Sequence, residues 1–199
     1  MMTPERLREI YGNPAPLAAA KARDRLDAHD RSFIAHAPFL VLATSNGDTL
    51  DVSPKGDPAG FVLVESDTSL LLPDRPGNNR IDGLLNILAH PQVALLFLIP
   101  TVDETLRVNG VAEISDDPAL LKRCALKGRD PRTVLRITVT EVFFHCGKAP
   151  MRAGLWRPEN WPATRPMPAL YEILRDQTGL AVPTTSQEAT EARYRDTLY

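Results

Sequence analysis

The sequence lacks the features that would direct a protein to a membrane or to an oxidising compartment. Its 199 residues contain no apolar run long enough to span a bilayer, and its two cysteines, Cys124 and Cys146, have neither metal-type nor redox-type spacing. The N-terminal residues MMTPERLREI carry charges where a signal peptide needs an apolar stretch. We therefore expect a cytoplasmic protein without a membrane partner, whose cysteines are reduced and structural.

An excess of charge of one sign is also missing. The 23 basic and 25 acidic residues give a formal net charge of -2, so no global positive field attracts nucleic acid, and we expect no nucleic-acid partner. Any site for an anion must therefore be local. With 43% hydrophobic and 24% charged residues the composition is that of an ordinary globular protein, and the length allows one domain with a continuous core.

Several catalytic motifs are absent from the sequence. No Gly-x-Gly-x-x-Gly follows a strand, Gly147-Lys148 lacks the rest of a Walker loop, and there is no His-Glu-x-x-His, which argues against classical nucleotide and zinc chemistry. The neighbours His145 and Cys146 would point to opposite faces of a strand, so we expect no metal site. Ser53-Pro54 lacks the context of a nucleophile elbow, which argues against a serine hydrolase.

Start and stop signals predict five helices. Thr3-Pro4-Glu5 combines a capping hydroxyl, a proline at the first helical position and an early carboxylate. Apolar residues recur at helical intervals from Pro16 to His36, and Asp116-Asp117-Pro118 opens a later helix. The predicted helices cover residues 3–12, 16–36, 81–89, 116–125 and 168–177, and a polar tail follows the last of them.

Turn signals separate a series of short β-type segments. Asn46-Gly47-Asp48 predicts a hairpin turn because these residues tolerate positive φ. Alternation in the sixth segment puts Leu106, Val108 and Val111 on the inside. The predicted strands cover residues 39–44, 49–53, 60–65, 69–72, 92–99, 105–114 and 133–146.

Short strands with turn signals and few helices between them predict a mainly β fold, an antiparallel barrel with helical decorations. A parallel α/β sheet would instead alternate strands with helices. Residues 1–37 are expected to form helices packed on the barrel, residues 38–147 the barrel, and residues 148–199 a C-terminal extension of loop and helix.

The long apolar runs at residues 92–99 and 133–144 exceed what one small barrel hides, which favours a dimer.

The segment Pro73-Asp74-Arg75-Pro76-Gly77-Asn78-Asn79-Arg80 stands between a predicted strand and a predicted helix. It combines the guanidinium groups of Arg75 and Arg80 and the amides of Asn78 and Asn79 with a helix start. Arginine binds phosphate through paired hydrogen bonds, and free N–H groups at a helix start add partial positive charge, so the segment suits a phosphate ester. A polar surface turn with salt bridges explains the same residues equally well.

Four motifs, in a fixed order along the chain, include this loop and point to a known family. The motifs are SPKG at residues 53–56, LLLPDRPGNNRIDGLLNIL at 70–88, HPQVALLFLIP at 90–100 and TLRVNG at 105–110. Over roughly residues 30 to 165 the chain resembles the FMN-binding split-barrel superfamily of pyridoxamine 5'-phosphate oxidase-related proteins. It is particularly similar to a bacterial branch that shares the PDRPGNNR loop and the later stretch CGKAPMRAGLW.

The resemblance implies an antiparallel split β-barrel that forms a homodimer with flavin mononucleotide (FMN) at the subunit interface. Asn79-Arg80 stands in place of the family's basic pair, so Arg80 keeps the positive charge and Arg75 replaces the missing cation. Together with Asn78, Asn79 and the helix start, these arginines are expected to bind the FMN phosphate.

Three further segments are assigned to the cofactor by the same resemblance. Ser53-Pro54-Lys55-Gly56 matches the segment beside the isoalloxazine ring, where backbone amides and the lysine favour a reduced, anionic flavin. Arg107-Val108-Asn109-Gly110 matches a motif whose polar residues lie near the flavin or in the partner's share of the site. Lys148, Arg152 and Trp156 form a set that covers the flavin or binds an acidic substrate, although Trp156 is equally a packing aromatic.

The Arg-Leu-His substrate motif of the authentic pyridoxamine phosphate oxidases is missing from the C-terminus, which argues against vitamin-B6 oxidation. We expect an FMN-dependent oxidoreductase that acts on a small organic substrate or accepts a nicotinamide hydride, with catalytic residues that the sequence does not identify. The alternatives are a non-catalytic flavin- or haem-binding protein for storage or sensing, and a deazaflavin-dependent reductase on the same barrel.

Overall fold

Seven strands form one antiparallel sheet in the computed structural model of the chain, which describes residues 1–182 and 185–198. The strands are β1 (Phe39–Ser45), β2 (Leu50–Gly56), β3 (Leu63–Val64), β4 (Ser69–Asp74), β5 (Gln92–Leu98), β6 (Thr105–Ser115) and β7 (Thr133–His145). Their order across the sheet is β2-β1-β5-β6-β7-β4-β3, and every neighbouring pair is antiparallel. The predicted mainly β fold with helical decorations is confirmed.

The described chain divides into two compact units, Met1–Trp156 and Arg157–Tyr199. The first holds the sheet and six helices, α1 (Pro4–Tyr11), α2 (Pro16–Ala20), α3 (Ala28–His36), α4 (Asp82–Ala89), α5 (Pro118–Arg123) and α6 (Lys148–Ala153). The second holds a 3-10 helix (Pro158–Asn160), α7 (Leu170–Thr178) and α8 (Gln187–Thr197). Within the described residues, no helix has the length and apolar character needed to cross a membrane.

Inward-facing residues of the strands form the main core of the first unit. Strands β1 and β5 alternate buried with half-buried residues, as expected for strands that bury one face. Phe33 and Ile34 of α3 belong to the same core. Its side chains with no exposed surface include Leu40, Leu70, Leu72, Phe97, Leu106, Val108 and Val142. Burial of a side chain of this size contributes about 1.5–3 kcal/mol relative to an exposed one.

The single helix predicted over residues 16–36 is wrong, because a non-helical segment separates α2 from α3. In that segment the backbone of Arg23 pairs with Val142 of β7, through hydrogen bonds of 3.1 and 2.7 Å. Asp27 then starts α3 with a capping box, in which its carboxylate and that of Asp30 bind each other's backbone N–H groups. A backbone contact with a distant strand therefore overrides the local helical pattern.

Two strand predictions need correction. The strand expected over residues 60–65 is reduced to Leu63–Val64, which pair with β4. Val111 was expected inside, but it is 40% exposed, because the inward positions that follow Val108 on β6 fall on Gly110 and Ala112. Leu106 and Val108 are fully buried, as predicted.

The predicted polar tail contains the further helix α8, so the helix predicted over residues 168–177 is not the last one. The hydroxyl of Ser186 caps α8 by accepting a hydrogen bond from the N–H of Ala189. Most residues of α8 are charged or polar. The helix therefore lacks the apolar periodicity by which a helix is recognised in the sequence.

Candidate functional site

A cavity of about 480 Å³ opens where β2, the loop after β4, the first turn of α4 and the start of β7 meet. Its volume lies in the range of small-molecule and cofactor sites. The structure brings seven of the predicted site residues to its wall: Ser53, Pro54, Lys55, Arg75, Asn78, Asn79 and Arg80. Residues up to 27 positions apart in sequence therefore line one space, because β2 packs against the first turn of α4 and the loop after β4 leads into that helix.

The first turn of α4 forms one part of the wall. Asn79 and Ile81 both have positive φ, 60° and 54°, which is rare for residues other than glycine and most unusual for a β-branched residue. Ile81 is the N-cap of α4 and supplies no side-chain capping bond. The free N–H groups of the first turn give this end of the helix partial positive charge. Strained backbone of this kind is concentrated at functional sites, and here it exposes a helix start suited to an anion.

Contacts between α4 and the sheet fix the position of that helix start. The buried Asn86 amide donates to the hydroxyl of Thr44 on β1 at 3.2 Å. A Cβ atom at Gly83 would lie 3.1 Å from the carboxylate Oδ2 of Asp51 on β2, closer than such atoms normally approach. The glycine therefore allows the first turn of α4 to lie directly against β2.

Two cations of the cavity wall are held by partly buried carboxylates. Lys55 Nζ lies 2.6 Å from Asp74 Oδ1, and Arg75 Nε donates to Asp57 Oδ2 at 2.8 Å. Only 11% of the Arg75 side chain and 4% of the Asp57 side chain are exposed. A buried pair of this kind is costly to break. Arg75 consequently ties the loop after β4 to the segment after β2, in addition to lining the cavity.

Arg80 has a different environment. Its side chain is 74% exposed, its Nε lies 2.7 Å from Asp82 Oδ2, and its backbone N–H donates to the side-chain oxygen of Asn78 at 3.0 Å. The hydrogen bond that Arg80 donates to the Asp82 carboxylate raises the pKa of its guanidinium. An exposed ion pair is weak, so a multiply charged anion can compete with Asp82 for this guanidinium.

Arg107, Lys148 and Arg152 do not line this cavity. Arg107 lies on β6 with its guanidinium 4.9 Å from the centre of the Phe143 ring. Lys148 and Arg152 lie on α6, where both are exposed. Their assignment to the cofactor stays a prediction. Trp156 is half-buried and donates from Nε1 to the carbonyl of Val102 at 2.9 Å, an arrangement typical of a packing aromatic.

His145, Cys124 and Cys146 do not line this cavity. His145 ends β7, and burial, followed by the charges of Lys21 and Arg107, lowers its pKa. Both cysteines are free thiols, and burial raises the pKa of Cys124. Among the residues that the structure describes, no cluster of three or more histidine, cysteine or acidic side chains is arranged to hold a metal ion.

Among the residues of the cavity wall that sequence reasoning missed are Arg132, Thr133 and Asp51. Arg132 and Thr133 reach the cavity because β7 pairs with β4, so that Thr133 lies opposite Asp74. Asp51 reaches it because alternate residues of β2 face α4. No local signal in the sequence marks these positions, since strand pairing over 59 residues brings Thr133 to the site and packing of β2 against α4 brings Asp51 there.

One family profile matches more than half of this chain. The family profile described as pyridoxamine 5'-phosphate oxidase matches residues 26–146. No curated protein gives a significant match. Among solved structures, HupZ from Group A Streptococcus is 19% identical, with a TM-score of 0.49, over 60% of this chain and 93% of that one.

Two further solved structures are similar at the same level. A putative pyridoxamine 5'-phosphate oxidase from Lactobacillus delbrueckii is 20% identical, with a TM-score of 0.48, over 62% of this chain and 98% of that one. An FMN-binding protein from Syntrophomonas wolfei is 10% identical, with a TM-score of 0.44, over 59% of this chain and 89% of that one.

Proposed function

The chain belongs to the pyridoxamine 5'-phosphate oxidase family, and on that premise we propose that it binds FMN and acts as an oxidoreductase on a small molecule. Its antiparallel sheet with helices is the FMN-binding split barrel of this family. When bound, FMN supplies the electron-transfer chemistry, and the protein positions the cofactor and adjusts its electrostatic surroundings.

The observation that carries the proposal is the combination, in one cavity, of an uncapped helix start and several guanidinium groups. A phosphate dianion needs several charge-assisted hydrogen bonds to offset its lost hydration. The exposed Arg80, the amides of Asn78 and Asn79 and the first turn of α4 offer such donors. A volume of about 480 Å³ also suits a cofactor that is larger than inorganic phosphate.

A buried hydroxyl in the cavity wall also fits the phosphate of FMN. Thr133 lines the cavity, and its hydroxyl oxygen is buried without a hydrogen-bond partner among the described residues. A buried hydroxyl without a partner costs free energy, so each such group calls for a ligand or an ordered water. A phosphate oxygen is a strong acceptor for it.

We assign the other side of the cavity to the isoalloxazine ring. Ser53, Pro54 and Lys55 of β2 form this wall, and the hydroxyl of Ser53 is held by the carboxylate of Asp51 at 2.7 Å. The Lys55 ammonium would stabilise a reduced, anionic flavin, while Asp74 moderates that effect. The Lys55–Asp74 pair therefore affects the reduction potential of the flavin more than the affinity with which the flavin binds.

We further propose a homodimer with the flavin site at the subunit interface. Leu50 and Val52 on β2 are 82% and 65% exposed, and Leu85 and Leu88 on the neighbouring helix α4 are 53% and 73% exposed. Exposed apolar residues on adjacent elements beside a cofactor cavity favour burial by a partner. In such a dimer, Arg107, Lys148 and Arg152 of one subunit would contribute to the cavity of the other.

Light scattering on the FMN-loaded protein tests the dimer. We expect twice the chain mass at micromolar concentration, and Leu88→Glu should shift the mass toward that of the monomer, because a carboxylate would be buried in the interface. A monomer mass for the wild-type protein with FMN bound would contradict this part of the proposal.

A flavin carrier without catalysis is the second candidate. Among the described residues that line the cavity there is no histidine, cysteine or tyrosine. The carboxylates and the lysine that could transfer protons are engaged with other side chains, Lys55 with Asp74, Asp51 with Ser53 and Asp82 with Arg80. In this role the same residues would hold FMN without turnover.

The absorbance spectrum of the purified protein, with mass spectrometry of the denatured sample, tests the cofactor assignment. We expect FMN, whereas haem or a deazaflavin would overturn it. Oxidation of NADH or NADPH by the FMN-loaded protein, measured with a series of small electron acceptors, would then distinguish an oxidoreductase from a carrier.

A further inference from the structure

The start of β7 brings a further arginine to the cavity. Arg132 directly precedes β7, and its backbone N–H donates to the carbonyl of Asp74 at 3.0 Å. Its guanidinium Nη1 reaches the loop after β4 and donates to the side-chain oxygen of Asn79 at 3.3 Å. Arg132 therefore spans two walls of the cavity, from the β7 side to the loop that carries Arg80.

The charge of Arg132 is less compensated than that of the other cations in the wall. Each of those has a carboxylate partner: Lys55 has Asp74, Arg75 has Asp57, and Arg80 has Asp82. Within the part of the chain that the structure describes, Arg132 forms no ion pair, and its hydrogen bond goes to a neutral amide oxygen at a long distance. An anionic oxygen would bind this guanidinium more strongly than Asn79 does.

The adjacent residue supplies an independent observation. The hydroxyl of Thr133 is buried and lacks a hydrogen-bond partner among the described residues, although Thr133 lines the same cavity. A guanidinium without a carboxylate and a hydroxyl without a partner stand on consecutive residues. Both groups donate hydrogen bonds, and both suit the same kind of acceptor.

We propose that Arg132 and Thr133 are phosphate-binding residues of this cavity and that the FMN phosphate takes over the guanidinium of Arg132 from Asn79. The inference rests on the proposed FMN function, and it adds two ligands that lie outside the loop at residues 73–80. The pairing of Thr133 with Asp74 holds these donors at a fixed distance from that loop. Phosphate recognition then depends on the β4–β7 pair as well as on α4.

The test compares the affinities of FMN and riboflavin, which differ in the phosphate, by fluorescence titration of the apoprotein. Arg132→Gln should raise the Kd for FMN about ten- to a hundredfold, and Thr133→Val about three- to tenfold, with little change for riboflavin. Arg129→Gln is the matched control, because Arg129 lies exposed in the same connection and outside the cavity wall. It should leave both affinities unchanged.

Arg132→Lys is a second variant, which keeps the positive charge and loses the forked donor geometry, and it should retain part of the preference for FMN. If the wild type prefers FMN and Arg132→Gln keeps that preference, the inference is wrong. Equal losses for FMN and riboflavin in a variant with an unchanged circular dichroism spectrum would overturn it as well. A wild-type protein that binds neither flavin would instead refute the proposed function.

Discussion

The ammonium nitrogen of Lys55 lies 2.6 Å from the carboxylate Oδ1 of Asp74, and this contact joins β2 to the end of β4 in the wall of the cavity. The two side chains are 25% and 17% exposed, so solvent screens the pair only partly. A ligand in this cavity would therefore meet the positive charge of Lys55 together with the opposite charge of Asp74.

We predict that Lys55→Met lowers the reduction potential of bound FMN and that Asp74→Asn raises it. The first change leaves an uncompensated carboxylate near the flavin, and the second leaves an uncompensated ammonium, which stabilises an anionic reduced flavin. A shift of about 30 mV in each direction corresponds to ~1.4 kcal/mol for a two-electron couple. Redox titration against reference dyes measures it. Shifts of both variants in the same direction would rule out this role.

The exposed Arg80 gives a prediction on affinity. Arg80→Ala should raise the Kd for FMN roughly ten- to a hundredfold, since a hydrogen bond to a charged group contributes about 1.5–3 kcal/mol. The stability of the fold should change little because the side chain is 74% exposed. Titration with riboflavin is the control, because a ligand without phosphate should bind the variant and the wild type equally.

Glu65 gives a prediction on pH. Hydrogen bonds from Arg136, which has the larger effect, and from Arg123 lower the pKa of this carboxyl from 4.5 to about 2. The pKa of Glu65 is lower in the folded state than in the unfolded state, so ionised Glu65 stabilises the fold. This contribution to the free energy of unfolding is present above about pH 4.5 and is lost as the pH falls toward 2. Glu65→Gln should cost about 1 kcal/mol at neutral pH and should flatten the decline of stability between these values.

Urea unfolding over this pH range measures the effect of Glu65→Gln. The exposed Glu104 provides the matched control, since the structure shows no ion pair for it among the described residues. An equal decline of stability with pH in wild type and Glu65→Gln would show that the arginines do not hold Glu65 ionised in the folded state.

Gly110 gives a prediction on the sheet. It lies where the pairing of β6 with β7 shifts register, and a Cβ atom there would clash with the carbonyl oxygen of Thr138. Gly110→Ala should therefore destabilise the protein by about 1–3 kcal/mol in chemical unfolding. Gly77→Ala has no atom within 4 Å of the added methyl group and should change the stability much less. Similar losses for the two variants would contradict the proposed clash.

Features set by neighbouring residues were predictable from the sequence. Asn46-Gly47-Asp48 forms the turn between β1 and β2, and Thr3 caps α1, because turn and capping chemistry acts within a few residues. The loop at residues 73–80 lies between β4 and α4 as expected, since its composition interrupts both kinds of periodicity.

Features set by strand pairing were not predictable in the same way. The break between α2 and α3 depends on the backbone of Arg23 meeting Val142, and the position of Arg132 in the cavity wall depends on the register of β4 with β7. The ion pair between Lys55 and Asp74 likewise joins strands that are not neighbours in the sheet. Such contacts arise only once the sheet order is fixed.

Calorimetric titration of the wild-type apoprotein with FMN and, in parallel, with riboflavin tests the central proposal most directly. If the cavity binds FMN through its phosphate, FMN should bind with one molecule per chain and at least about tenfold more tightly than riboflavin. Absence of FMN binding, or equal affinities for the two flavins, would contradict the assignment of this cavity to the cofactor and its phosphate.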